Sequence, residues 1–262
     1  MIGTVDSADG VRIVYTAQGK GQPALLFIHG GLADRTFWSN QIDVFARRFK
    51  VIALDLAGHG ESGSNRSKWG IQAFAGDVQA VLVAEGVNRA VLIGNSLGGP
   101  VAVETTLMMP DNIIGIIAVD TFHELDLRVE PSQVQARARE FRRDFPGSVK
   151  RMVRTLFHPD ADPDLMSEVE QRMGNTTTEV ACQMFESFGG YDLANSVRRL
   201  KVPIRCINGD LFPTSTEANR RVYADFDAMT LVHNGHFPML ESPHVFNRRL
   251  GEILVGKWPA GN

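Results

Sequence analysis

A hydroxyl attacks a carbonyl at neutral pH only when a base lies beside it, so chemistry in this chain is sought first in a serine and a histidine that folding can unite. Ser96 lies at the centre of Gly94-Asn95-Ser96-Leu97-Gly98, directly after the β-branched run Ala90–Ile93 and directly before a helical run, Gly99–Met108. In a sharp strand-to-helix turn the central residue takes an unfavourable backbone conformation, and its neighbours must be small. Gly94, Gly98 and Gly99 meet that demand. Such a turn lifts the hydroxyl above a sheet, while the unpaired N–H groups opening the next helix can donate to developing negative charge. The chemistry this predicts is acyl transfer through a covalent intermediate.

Of the seven histidines, His236 is the best placed base. It follows a predicted strand and a turn glycine, Gly235, and it precedes a terminal helix marked by Pro243. His233 stands at the strand end in a structural position, and His123, His158 and His244 have no supporting constellation. A carboxylate should fix the imidazole tautomer. Asp120, ending the run Ile113–Val119, and Asp210, after the run Pro203–Ile207, both satisfy the order serine, acid, histidine.

These residues need a scaffold. Short apolar runs at Ala24–Ile28, Val51–Leu54, Ala90–Ile93, Ile113–Val119, Pro203–Ile207 and Met229–Val232 alternate with amphipathic stretches. That alternation predicts an α/β fold with a mostly parallel central sheet and helices on both faces. Thr4–Ser7 and Val11–Thr16 read as an opening hairpin turned by Asp9 and Gly10. Helical spacing marks Ile42, Phe45, Ala46 and Phe49, and again Ile71, Phe74, Ala75, Val78, Val81 and Leu82. From His123 to Gly190 the strand signal stops and a charge-rich helical segment replaces a short connection, which predicts a cap inserted after the sixth strand. The organisation expected is a core of residues 1–122 and 191–262 with a helical cap over 123–190. Phe141, Phe145, Met152, Phe157, Met184, Phe185 and Phe188 are expected to form mainly the cap's own core.

The sequence resembles the α/β-hydrolase family from about Asp9 to Leu254, through four motifs in the family's order. These are His29-Gly30-Gly31, the run Asp55-Leu56-Ala57-Gly58-His59-Gly60-Glu61-Ser62, the serine turn, and Gly235-His236-Phe237-Pro238-Met239-Leu240-Glu241-Ser242-Pro243. The resemblance implies a serine hydrolase with no cofactor or metal, acting on small to medium carboxylic esters or related acyl compounds. It implies that the backbone N–H groups of Leu97 and Gly31 form the oxyanion hole, Leu32 being the less favoured alternative to Gly31 as second donor, and that His29 and His59 brace loops. Asn95 stands where many relatives carry histidine. Relatives typically place their acid at the position of Phe212 here, whereas others, haloalkane dehalogenases among them, take it from the strand end occupied by Asp120. Asp120 is therefore preferred as the acid, with Asp210 the alternative. Carbon–carbon bond hydrolysis, lactone opening, acyl transfer and a ligand receptor on the same scaffold remain open. Serine at position 96 argues against dehalogenase or epoxide-hydrolase chemistry, which needs a carboxylate nucleophile.

Other classes find little support. A formal net charge of −3 gives no reason to expect nucleic acid. The arginines from Arg137 to Arg154 are interrupted by Glu140 and Asp144 and read as a solvated helix face. Cys182 and Cys206 are too few for a disulfide framework. Asp6 and Asp9 occupy the place of a basic leader region, and the strongest apolar run, Ile113–Val119, is far short of a membrane span of about 20 residues. The expectation is a cytoplasmic protein with a small-molecule partner. Gly58, Gly60 and Gly63 match a dinucleotide pattern without a helix opening at once, and Asp160, Asp162 and Asp164 imitate a calcium loop in which Pro163, Leu165 and Gln171 break the pattern.

Overall fold

The computed structural model describes residues 1–128, 130–186 and 188–260. Eight strands form one sheet: β1 Ile2–Asp6, β2 Arg12–Gln18, β3 Ala24–Ile28, β4 Val51–Leu54, β5 Ala90–Asn95, β6 Ile113–Val119, β7 Ile204–Gly209 and β8 Phe226–Leu231. Their order is β1-β2-β4-β3-β5-β6-β7-β8. β1 and β2 pair antiparallel with each other, β2 pairs antiparallel with β4, and every remaining pair is parallel. The mostly parallel α/β architecture is the expected one, although strand limits differ. β8 begins at Phe226, three residues before the expected Met229, because an edge strand partly open to water needs no continuous apolar run. β5 runs on through Gly94 and Asn95, which pair with Ala118 and Val119.

The helices are α1 Ser39–Phe45, α2 Ile71–Ala84, α3 Gly98–Met108, α4 Pro131–Arg143, α5 Phe145–Leu156, α6 Pro163–Met173, α7 Thr178–Glu186, α8 Leu193–Arg198, α9 Thr216–Val222, α10 Pro238–Glu241 and α11 Pro243–Lys257. Helices cover both faces of the sheet, α2 packing against α3 and α1 against α11. Central strands buried on both faces must be apolar throughout, and β3, β4 and β5 are wholly buried. Helices α4 to α7 form a layer of their own between β6 and β7, with α4 packed on α7 and α5 on both α4 and α6. Among the described residues no helix is long and apolar enough to cross a membrane.

The sense in which successive strands are added reverses at β3, which has β4 on one side and β5 on the other while all three run parallel. In open parallel sheets such a switch point leaves a crevice beyond the carboxyl ends of the strands. The loops following β3, β5, β6, β7 and β8 carry Gly31, Ser96, Asp120, Asp210 and His236 respectively.

Candidate active site

Ser96 has φ +50°, in the left-handed region that costs an L residue energy. Its surroundings explain how that conformation is held. A Cβ on Gly94 would lie 2.2 Å from the Gly98 carbonyl oxygen, and one on Gly98 would lie 2.5 Å from that of Ile28. Only glycine lets the turn close so tightly. Leu97 is the N-cap of α3, so its N–H lies where a helix leaves donors without intrahelical acceptors. On the β3 side, a Cβ on Gly30 would lie 3.3 Å from Cβ of Ser96, which brings the Gly30-Gly31 loop against the serine.

His236 is set between two carboxylates with different tasks. Its Nδ1 lies 2.6 Å from Oδ2 of Asp120. An ionised carboxylate only accepts, so Nδ1 carries the proton that faces it. The Asp120 side chain is fully buried, and its Oδ1 accepts from the Gly209 N–H at 2.9 Å. Burial raises the Asp120 pKa, but contacts with His123 and His236 outweigh it and bring it down to about 2. Glu241 instead accepts from the Gly235 and Phe237 N–H groups at 2.9 and 3.0 Å, clasping the backbone on either side of the imidazole. The His236 N–H donates to the Leu156 carbonyl at the end of α5, at 2.6 Å.

Asp210 does not touch the His236 ring. Its two oxygens accept from the N–H groups of His233 and Asn234, at 3.0 and 3.1 Å, holding the turn that leads into the histidine loop. Those bonds, against a desolvation that raises it, leave its pKa lowered. His123, which had no supporting constellation in the sequence, has its Nε2 3.6 Å from Asp120 Oδ2 and its Nδ1 3.0 Å from the Thr214 hydroxyl. Phe212, at the position where typical relatives carry the acid, sets its ring against both His123 and His236.

Asn95 is wholly buried, and its Nδ2 donates to the Val119 and His236 carbonyls, each at 3.0 Å. It therefore ties the histidine loop to the end of β6, while its Oδ1 finds no partner among the described residues. His29 and His59 brace loops. His29 Nε2 accepts from the Leu56 N–H at 3.0 Å and its Nδ1 lies 2.7 Å from the Gly30 carbonyl, which makes it a neutral ring protonated on Nδ1. Burial pushes His29 down to about 4 and His59 to about 3.

A cavity of about 390 Å³ joins Ser96, His236, Asn95 and Gly31 to the α4–α7 layer. Met152, Met184, Phe185 and Phe188 line it, so these four do more than fill the interior of that layer as expected. Phe141 stays inside, stacked on Phe185 at 5.0 Å. Arg137, read from sequence as part of a solvated face, also lines the cavity. A larger cavity of about 530 Å³ lies at the amino ends of β3 and β4, beside Ala24 and Lys50, and contains none of these residues. Among the described residues, His158, Asp160 and His233 bring ligand-type atoms within 4.8 Å of one another, although Nδ1 of His158 already accepts the Asp160 N–H. Asp162 caps α6 by accepting from the Asp164 N–H at 2.9 Å, which accounts for its place in the apparent calcium pattern.

Residues 25–249 match the model of the Alpha/beta hydrolase family. The chain belongs to that family. This hydrolase-family chain is 33% identical over 111 residues to the dihydrolipoyllysine-residue acetyltransferase component of the acetoin cleaving system of Cupriavidus necator, a match covering 42% of this chain and 30% of that protein. The chain thus aligns with only about a third of the length of such longer relatives. It is 22% identical to 3-oxoadipate enol-lactonase 2 of Acinetobacter baylyi over 95% of both chains. A thermophilic esterase from Thermogutta terrifontis shares the fold, with a TM-score of 0.87 at 23% identity over 99% of this chain and 100% of that one.

Proposed function

We propose that this chain is a serine hydrolase that cleaves small to medium carboxylic esters, lactones included, with Ser96 as nucleophile, His236 as base and Asp120 as the acid that orients it. The observation that carries the reading is the 2.6 Å contact between Asp120 and His236 Nδ1, with Ser96 and His236 lining one cavity. Nε2 of His236 takes the Ser96 proton as Oγ bonds to the substrate carbonyl carbon. The N–H groups of Gly31 and Leu97 hold the oxyanion. The ester C–O bond then breaks, and His236 returns the proton to the leaving alkoxide. Water, deprotonated by the same imidazole, attacks the acyl-enzyme and releases the acid and a free serine. The full-length likeness to an enol-lactonase supports including lactones. Residues 123–190 act in this reading as a cap that supplies the acyl-binding wall.

The test is turnover of p-nitrophenyl esters of increasing acyl length by wild type and Ser96→Ala. Multiple turnovers that disappear in Ser96→Ala are expected. Equal activity in the two proteins, or a single stoichiometric burst in wild type, overturns the reading.

A further inference from the structure

We infer that the cavity beside Ser96 selects acyl groups bearing a second, remote carboxylate, which Arg137 of α4 receives; this rests on the reading of Ser96 as the nucleophile. Among the described lining residues Arg137 alone carries a fixed charge, on a wall otherwise made chiefly of methionine and phenylalanine side chains. A guanidinium stays protonated at every pH at which a protein is folded, and its planar fork fits a carboxylate with two parallel bonds.

Among the described residues that fork makes no hydrogen bond. Its ion-pair contact among the described residues is with Glu140, at 3.9 Å, longer than a hydrogen bond. Arg142, on the same helix, instead donates to Glu186 at 2.9 Å, the arrangement expected of a structural surface pair. The Thr155 hydroxyl, a polar group on the same wall, is already bonded to the Met152 carbonyl at 2.7 Å. A neutral acyl chain gains nothing from that charge, whereas a chain ending in a carboxylate, with its ester at Ser96, meets the one fixed cation of the described lining. The Arg137 side chain is 46% exposed, so solvent screens the contact and the discrimination is moderate, on the order of tenfold.

The experiment compares kcat/KM for monomethyl glutarate and methyl pentanoate, matched in acyl length, in wild type, Arg137→Gln, Arg137→Lys and Arg139→Gln. Arg139 lies on the same helix, is exposed and is absent from the cavity lining, so its variant controls for the lost charge. Wild type should prefer the hemi-ester about tenfold, and Arg137→Gln should abolish the preference mainly through KM. Arg137→Lys should restore part of it, and Arg139→Gln should keep it. No preference in wild type, or a preference that survives Arg137→Gln, overturns the inference. Should neither methyl ester be hydrolysed, turnover of p-nitrophenyl esters still decides the catalytic reading, and calorimetric binding of glutarate decides the subsite alone. Binding lost in Arg137→Gln upholds it, and binding absent from wild type or equal in the two proteins rejects it.

Discussion

Asp120 divides its oxygens between the Gly209 N–H and the His236 ring, whereas Asp210 gives both of its own to backbone N–H groups. The two aspartates therefore respond differently to loss of charge. Asp120→Asn should lower kcat by about 10⁴, because an amide cannot enforce the same tautomer. Asp210→Asn should cost less than tenfold in kcat and show itself as a lowered urea midpoint; the reverse pattern would exchange their roles. With its pKa near 2, Asp120 stays ionised throughout the range in which activity is measured, so an acid limb in the rate profile does not arise from it. Asn95→Ala removes the amide that fastens the His236 carbonyl to β6. A shift of about 1 Å in a catalytic group can cost about a hundredfold, so steady-state kinetics should show a fall in kcat with KM little changed.

Turns and their supports set the next scale. Gly94→Ala would place a methyl 2.2 Å from the Gly98 carbonyl oxygen, a clash with backbone that no rotamer relieves. Denaturant melts should show a loss of at least about 2 kcal/mol. The buried pair of Arg66 and Asp77 links three elements, since Asp77 also accepts the Ala57 N–H after β4 and Arg66 reaches Asp9 in the β1–β2 turn. Asp77→Ala leaves a guanidinium whose side chain is 1% exposed with the partly exposed Asp9 as its remaining carboxylate and should cost about 2–3 kcal/mol. The serine turn was legible in the sequence because its geometry tolerates only a few residue types, and strand, glycine and helix signals all converge there. Between Asp120 and Asp210 the residues alone were silent, since both follow strands in the right order; Asp120 was preferred only through the family resemblance and the phenylalanine at 212. His123, in a loop, was hidden in the same way, and Arg137 of α4 for a related reason. Periodicity tells which side of a helix is apolar, but not which distant strand end that side will meet.

Taken as a whole, the molecule buries two neutral imidazoles, and this governs its response to acid. An unfolded chain protonates histidine near pH 6.5, while folded His29 and His59 resist until about 4 and 3. From pH 6.5 downward the unfolded state therefore binds more protons, and stability falls by up to about 1.4 kcal/mol per pH unit for each ring. Asp120 acts in a lower window, its contribution being complete above about 3.8 and lost as pH drops toward 2. Urea midpoints should accordingly decline steadily from pH 6.5 to 4, and a flat profile there would contradict the buried neutral state. The mostly parallel sheet followed from the alternation of apolar runs and amphipathic stretches, but the meeting of the helical layer with the histidine loop did not, because it depends on the Leu156 carbonyl, an atom every residue possesses. That single backbone bond to His236 has a mechanical corollary. Should α5 swing outward, it must either release the His236 N–H or drag the loop along, so in the proposed reading the doorway and the engine share a latch.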